Sequence, residues 1–316
     1  MKCIDFDKKF DYYLKAWAKE HVKDFHTFDE MEAAVPGVYD TFLDTPADWL
    51  AGKKPGEYFE QFDSAKQLTD WMEDYEKQHV PVPDMLLNRL TDLGLASEAP
   101  LMNLLLKERA PQAAKMEAIS ILNEIESTAP VDLYISWVQK GDKYDELADS
   151  ALDSLQALGD KVTDQLVDGL ENASDNGKIS LLTLIAPFRQ DEWLVDLTLR
   201  LLADYPGESP ALANILSDLG HEKAIEPLKK LAASEETGYL DYIELRNAIE
   251  ALGGEAPERV FAEDDPEYTS MRALEEKLLK HNAEKPEKFG FEEDECEDCG
   301  CEEHHEHCTC KEHSDL

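Results

Sequence analysis

The sequence predicts an all-α protein: an α–α superhelix of short helix pairs, preceded by an N-terminal helical domain and followed by a disordered or metal-organised tail. Three observations predict it. A Leu-x-x-Leu-Gly ending recurs along the middle of the chain. Apolar residues return at three- and four-residue steps, the period of a helix with one buried face. Beyond Phe291, cysteine and histidine replace the large apolar residues that could build a core.

Charge narrows the function classes. Seventy acidic residues oppose 31 basic ones over 316 residues, a formal net charge of −39. Phosphate binding needs a basic surface or stripe, so nucleic acid is not an expected partner, and anionic membranes are disfavoured for the same reason. Cations and basic protein surfaces are what such a field attracts. The start, Met1-Lys2-Cys3-Ile4-Asp5-Phe6-Asp7, is charged at once and has no apolar signal region. A cytoplasmic protein with reduced thiols is the expectation, which makes clustered cysteines ligands rather than disulfides.

Residues 1–80 form the aromatic-rich N-terminal helical domain, with 15 of the 27 Phe, Trp and Tyr residues. Phe6, Phe10, Tyr13, Leu14 and Trp17 mark one amphipathic helix. Thr27 with Glu30 three residues on is a capping-box start for a second. Thr45 as cap and Pro46 at the first helical position predict a short third helix ended by Gly52. Pro55 predicts another, carrying Tyr58, Phe59 and Phe62, and Ser64 caps one with Leu68, Trp71, Met72 and Tyr75 on a single face. The aromatics read as the core of this domain, with an aromatic-lined groove as the competing reading.

Residues 81–254 are repetitive. Leu-x-x-Leu-Gly closes residues 90–94, 155–159 and 216–220, and a close relative closes 249–253. Residues 122–125 and 184–187 fall where two further endings belong, so the period is close to 32 residues. The predicted helix pairs are 97–108 with 112–125, 131–139 with 144–158, 161–171 with 178–187, 192–204 with 209–219, and 222–233 with 240–252. The glycine stops a helix by taking a left-handed conformation. Helix pairs at this period mean a solenoid.

One stretch carries a family resemblance. Gly220-His221-Glu222-Lys223-Ala224-Ile225-Glu226-Pro227-Leu228, followed by Glu244-Leu245-Arg246-Asn247-Ala248-Ile249-Glu250-Ala251-Leu252-Gly253, resembles the HEAT-like repeat of the phycobilin-lyase type. The family's basic residue falls at Arg246. The resemblance covers about 170 residues. It implies a HEAT-like superhelix that offers a curved surface to protein partners, and fold analogy by itself carries no activity.

Residues 255–290 are a charged connector punctuated by Pro257, Pro266 and Pro286. Met271, Leu274, Leu278 and Leu279 give it one amphipathic helix, expected to cap the open end of the repeats.

Residues 291–316 are the acidic metal-binding tail. The candidate ligands are Cys296, Cys299, Cys301, His304, His305, His307, Cys308, Cys310 and His313. Cys296-Glu297-Asp298-Cys299-Gly300 lets two sulfurs meet one ion, and Cys308-Thr309-Cys310 supplies a second pair. Four thiolates, or three with an imidazole, make a tetrahedral zinc site. Zinc is the default metal, and Cu(I) or Ni(II) would accept the same ligands. Nine ligands exceed the need of one ion, so two ions or an exchanging cluster fit as well. Eleven carboxylates in residues 292–316 draw dications but raise thiol pKa values, and metal has to overcome that. Disulfide or redox use is the competing reading.

Other signals fall short. Some proteins resembling this family are di-iron hydroxylases built on several His-Glu pairs; here His221-Glu222 stands alone within the repeats. Glu76 and His79 have metal-helix spacing without a second copy. His21 and His26, five apart, share no helix face. No P-loop, G-x-G-x-x-G, H-E-x-x-H or G-x-S-x-G occurs. Cys3 is isolated and reads as buried and inert. The resulting expectation is an interaction scaffold with a zinc-type tail, or a metal-handling protein, rather than an enzyme.

Overall fold

The computed structural model describes residues 3–142, 144–261 and 265–284, and these are helices joined by turns with no strand among them. They fall into two compact units. The first holds the chain to Thr237 together with Asp241–Pro257, and the second holds Gly238–Leu240 together with the chain from Glu258.

The first unit opens with α1 (Phe6–His21) and α2 (Phe28–Asp44). Asp5 caps α1 by accepting from the Lys8 N–H at 2.8 Å. Thr27 caps α2 by accepting from the Glu30 N–H at 3.1 Å. The return bond of the expected capping box is made one residue early, where the His26 N–H donates to Glu30 Oε2 at 2.7 Å. The rings pack together as a core should. Phe6 meets Trp49 edge-on at 5.6 Å and Phe59 at 5.8 Å, while Phe10 and Tyr13 close on Phe42.

Two of the expected helices in this region do not form. Thr45 closes α2 instead of opening a new helix: its N–H donates to the Phe42 carbonyl and its hydroxyl to the Thr41 carbonyl at 2.6 Å. Ala47 then pairs with Lys53 in an isolated bridge, which leaves room for one 3₁₀ turn, Asp48–Leu50. From Pro55 the chain makes successive i to i+3 turns through Tyr58, Glu60 and Phe62, because the Gly56 N–H is held by the Leu43 carbonyl at 3.0 Å.

From Ser64 onward the predicted order holds. The helices are α3 (Ala65–Lys77), α4 (Asp84–Asp92), α5 (Glu98–Leu105), α6 (Gln112–Glu124), α7 (Val131–Val138) and α8 (Glu146–Leu158). They continue as α9 (Thr163–Gly169), α10 (Asp175–Ile185), α11 (Glu192–Asp204), α12 (Ser209–Leu219), α13 (Ile225–Ala232) and α14 (Tyr239–Ala251). Three boundaries shift by three residues: α5 stops at Leu105 rather than 108, α13 starts at Ile225 rather than 222, after a 3₁₀ turn over Glu222–Ala224, and α10 begins before the expected Lys178 because Ser174 caps it by accepting from the Gly177 N–H. Gly94, Gly159, Gly220 and Gly253, the four glycines of the recurrent ending, all have positive φ. Two endings lack glycine; the one at 122–125 is followed by Glu126, whose φ is also positive at 52°.

Packing is regular. Besides sequence neighbours, α3 packs on α5, α4 on α6, α6 on α8, α7 on α9 and α10 on α12. Hydrogen bonds that cross from one pair to the next span nearly constant sequence distances. Ser127 Oγ donates to Glu98 (29 residues), Gln139 Nε2 to the Gly169 carbonyl (30), Thr91 Oγ1 to Glu124 (33), and Gln112 Nε2 to Glu146 (34). Leu and Ile side chains fill the space between, with Leu101, Leu122, Leu182, Leu194, Leu212 and Leu245 wholly buried.

In the second unit α15 (Pro266–Glu284) is capped by Asp265, which accepts from the Glu267 and Tyr268 N–H groups. Tyr239, Phe261 and Tyr268 form a ring cluster with centroids 5.0 to 6.2 Å apart. Of the apolar stripe expected to act as a cap, Met271 is half-buried and Leu274 is 49 % exposed.

Candidate functional site

The nine candidate metal ligands, Cys296 through His313, lie outside the described residues. Among the described residues no group of three or more His, Cys, Asp or Glu side chains is placed to hold a metal ion. His221 sits in the turn before α13, where its Nδ1 accepts from the Lys223 N–H at 3.2 Å. His79 is exposed just past the end of α3, with φ 54°. His21 stacks on Trp17 at 4.8 Å and bonds the Trp17 carbonyl. Cys3 is 8 % exposed and hydrogen-bonded to Gln78 through both its N–H and its sulfur, and burial, with the Asp74 charge behind it, raises its pKa. Arg246, the residue the family resemblance singles out, lies 3.8 Å from Glu250 one helical turn on.

What the described residues do present is a run of exposed carboxylates on the successively packed helices α4, α6 and α8. Asp84, Asp92, Glu124, Asp149 and Asp153 are exposed there. Much of the basic complement is engaged in ion pairs: Lys107 holds Glu73 at 2.9 Å, Lys161 holds Glu126 at 3.4 Å, Arg189 pairs with Asp164, and Lys223 pairs with Asp196 and Glu192. The surplus acidity shows in the proton affinities. Burial raises the Glu117 pKa, and the Glu76 and Asp84 charges add to it. Burial also raises the Asp7 pKa, with Asp5, Asp84 and Asp11 behind it. Like charges kept this close lower the affinity of each group for its own negative state.

Three depressions lie along this face. One of about 410 Å³ opens between α4 and α6 beside Arg89, Asp92 and Glu124. The next, about 330 Å³, lies between α6 and α8 and is lined by Met116, Glu117, Ser120, Asn123 and Asp153. The third is the smallest, about 160 Å³. It sits between the α7–α8 turn, α8 and α10, with Val138, Ala148, Leu152 and Ile179 below Asp142, Asp149, Asn176 and Ser180.

The walls of the third depression are held by the tightest backbone approach in the unit. Gly141, φ 67°, ends the turn after α7, and a Cβ there would come 2.5 Å from Ser174 Oγ and 2.7 Å from the Gly177 nitrogen. A Cβ on Gly177 would come within 2.9 Å of Gln139 Cα. Only glycine lets two backbones meet like this. The Ser174 N–H and hydroxyl donate to the carbonyls of Gln139 and Lys140, each at 2.9 Å, and Asn176 Nδ2 reaches the Gly141 carbonyl. In the sequence these glycines are not singled out. The hint available was their number, with Gly141, Gly169 and Gly177 falling within two successive helix pairs.

No helix among the described residues is long and apolar enough to cross a membrane. Compared with known proteins, the chain matches no protein-family model, no curated protein and no solved structure.

Proposed function

We propose that this protein is a cytoplasmic interaction scaffold of HEAT-repeat type, whose acidic face docks a protein partner with a basic surface and whose tail holds a zinc-type metal. The observation that carries the docking half is the row of exposed carboxylates on α4, α6 and α8, Asp84, Asp92, Glu124, Asp149 and Asp153, like charges that repel one another. A basic surface would relieve that repulsion on binding, which gives both attraction and rapid encounter. The superhelical reading is supported by the next-but-one helix packing and by cross-links that recur at 29 to 34 residues. No reaction is proposed.

The test is binding of the full chain to a fluorescent Arg/Lys-rich peptide over a range of salt. The expected result is saturable binding that weakens steeply as salt rises. Absence of binding at low salt, or binding indifferent to salt, overturns the docking half.

The metal half rests on the sequence spacing of Cys296, Cys299, Cys301, His304, His305, His307, Cys308, Cys310 and His313. Elemental mass spectrometry on the untagged full chain should find zinc. Joint Cys296→Ser, Cys299→Ser, Cys308→Ser and Cys310→Ser substitution should remove it. A second reading, buffering or delivery of a thiophilic metal to a docked client, is favoured by the ligand surplus over one tetrahedral site. Rapid loss of the bound zinc to a competing chelator would favour delivery over a structural role.

A further inference from the structure

We infer that the small cavity between the α7–α8 turn, α8 and α10 receives an arginine side chain of the partner polypeptide. This rests on the reading of the acidic face as a docking surface and names one contact within it.

Size comes first. About 160 Å³ is well below the roughly 300 Å³ at which pockets for free small molecules begin. It suits one long side chain supplied by a larger partner. The lining is graded. Val138 and Ala148 are buried at the base, with Leu152 and Ile179 beside them, and they offer apolar surface to methylenes. Asp142 and Asp149 are exposed at the mouth, with the Asn176 amide and the Ser180 hydroxyl beside them. An apolar shaft below a charged head is the build of lysine and arginine.

The arrangement of acceptors selects between them. Asp142 belongs to a turn, Asp149 to α8, and Asn176 and Ser180 to α10, so acceptors approach the mouth from separate elements. A planar guanidinium with five donors can address several such acceptors at once, whereas an ammonium is a compact point charge that holds its water more strongly. Among the described residues no lysine or arginine forms an ion pair with Asp142 or Asp149. The site is also preorganised. The Gly141–Gly177 contact and the Ser174 bonds to Gln139 and Lys140 fix the turn against α10 before any ligand arrives. Preorganisation spares the ordering cost that weakens loop-built sites.

The experiment is an amide TROSY titration of the full chain with three probes: N-acetyl-argininamide, N-acetyl-lysinamide and the neutral N-acetyl-citrullinamide. Saturable shifts confined to Gly141, Asp149, Asn176 and Ser180 are expected with the arginine probe. The lysine probe should bind at least three-fold more weakly, and the citrulline probe should leave the spectrum unchanged. Two variants separate charge from cavity. Asp142→Asn with Asp149→Asn removes two of the three carboxylates that line the cavity, Glu208 being the third, and Ser180→Leu fills the cavity at constant net charge; the first should weaken the saturable shifts at least ten-fold and the second abolish them, while distant amides stay in place. Non-saturating shifts spread over the acidic surface, or an unaltered response in Ser180→Leu, overturn the inference. The Arg/Lys-rich peptide is measured on the same variants. If it binds all of them equally, the cavity proposal fails and the docking surface stands. If it binds none, wild type included, the docking reading has failed.

Discussion

Gly177 lies directly beneath the backbone of Gln139, close enough that a Cβ at position 177 would sit 2.7 Å from the Gln139 carbonyl carbon. The atoms in the way are main chain, so no side-chain rotation relieves the overlap. Gly177→Ala should therefore destabilise the protein by about 1–3 kcal/mol, the usual range for forced overpacking. Gly207→Ala, where nothing lies within 4 Å of the added atom, should stay within about 0.5 kcal/mol of wild type. Urea denaturation of the two variants decides it, and equal midpoints would contradict the close approach.

Glu126 occupies a position where four of the other endings place glycine. Its φ of 52° costs an L residue roughly 1–2 kcal/mol, part of which glycine's larger unfolded-state freedom offsets. Its pairing with Lys161 at 3.4 Å is well exposed and worth little. Glu126→Gly should raise stability by about 0.5–1 kcal/mol, the size of a backbone-compatible glycine effect. A lower urea midpoint in the variant would contradict this.

Tyr134 is 1 % exposed, yet its hydroxyl finds no hydrogen-bond partner among the described residues. Burial raises its pKa for the same reason: nothing nearby stabilises the phenolate. Tyr134→Phe keeps the ring against Trp137 and removes only the stranded oxygen. Thermal denaturation should show a Tm equal to or above wild type, with a gain of up to about 1 kcal/mol. A fall of that size would instead mean that the hydroxyl is satisfied in solution.

Stability should increase as pH is lowered from neutral toward the ordinary carboxylate range. Glu117 and Asp7 have raised pKa values in the folded state, so the native chain binds more protons than the unfolded one between the two values. Their relative stabilisation is complete below the unfolded pKa and is lost as pH rises through the folded one. Glu73 acts in the opposite sense. Burial pushes its pKa up, but hydrogen bonds from Lys77 and Lys107 outweigh that and lower it, so its contribution disappears at still lower pH. A scan of Tm against pH should show a mildly acidic maximum, and Glu117→Gln should flatten the neutral side. A Tm that climbs steadily to pH 8 would contradict the raised proton affinities of Glu117 and Asp7.

The helix pairs were legible because each is closed by a local device. The positive-φ glycines act within a few residues of themselves, so reading them needs no tertiary information, whereas the caps Asp145 and Ser174 went unread and the starts of α8 and α10 were misplaced. Thr45, Pro46 and Pro55 misled for a related reason. A hydroxyl followed by proline opens a helix or closes one, and here contacts to Phe42 and Leu43 from the preceding helix decide. The cavity was illegible because its walls meet across 35 residues, as Asn176 and Gly141 do. Nothing local in Asp142 or Asp149 distinguishes them among 70 acidic residues. The candidate metal ligands stand on their spacing alone.

The two classes of cross-link imply an order of assembly. Bonds between successive helix pairs close loops of 29 to 35 residues, whereas Tyr75 reaches Ile4 across 71 and Gln78 reaches Cys3 across 75. A loop a little over twice as long costs about 0.6 kcal/mol more to close, a small difference in equilibrium. During synthesis the difference is one of waiting. Cys3 has no seat until Gln78 has followed it out of the ribosome. Each later pair finds its neighbour after some 30 residues more, at about 5–20 residues per second. Within α1 the wait is graded: Phe10 and Tyr13 meet Phe42 after about 30 residues, whereas Phe6 waits longer for Trp49 and Phe59, so the leading end of the helix is the last part of it to be covered.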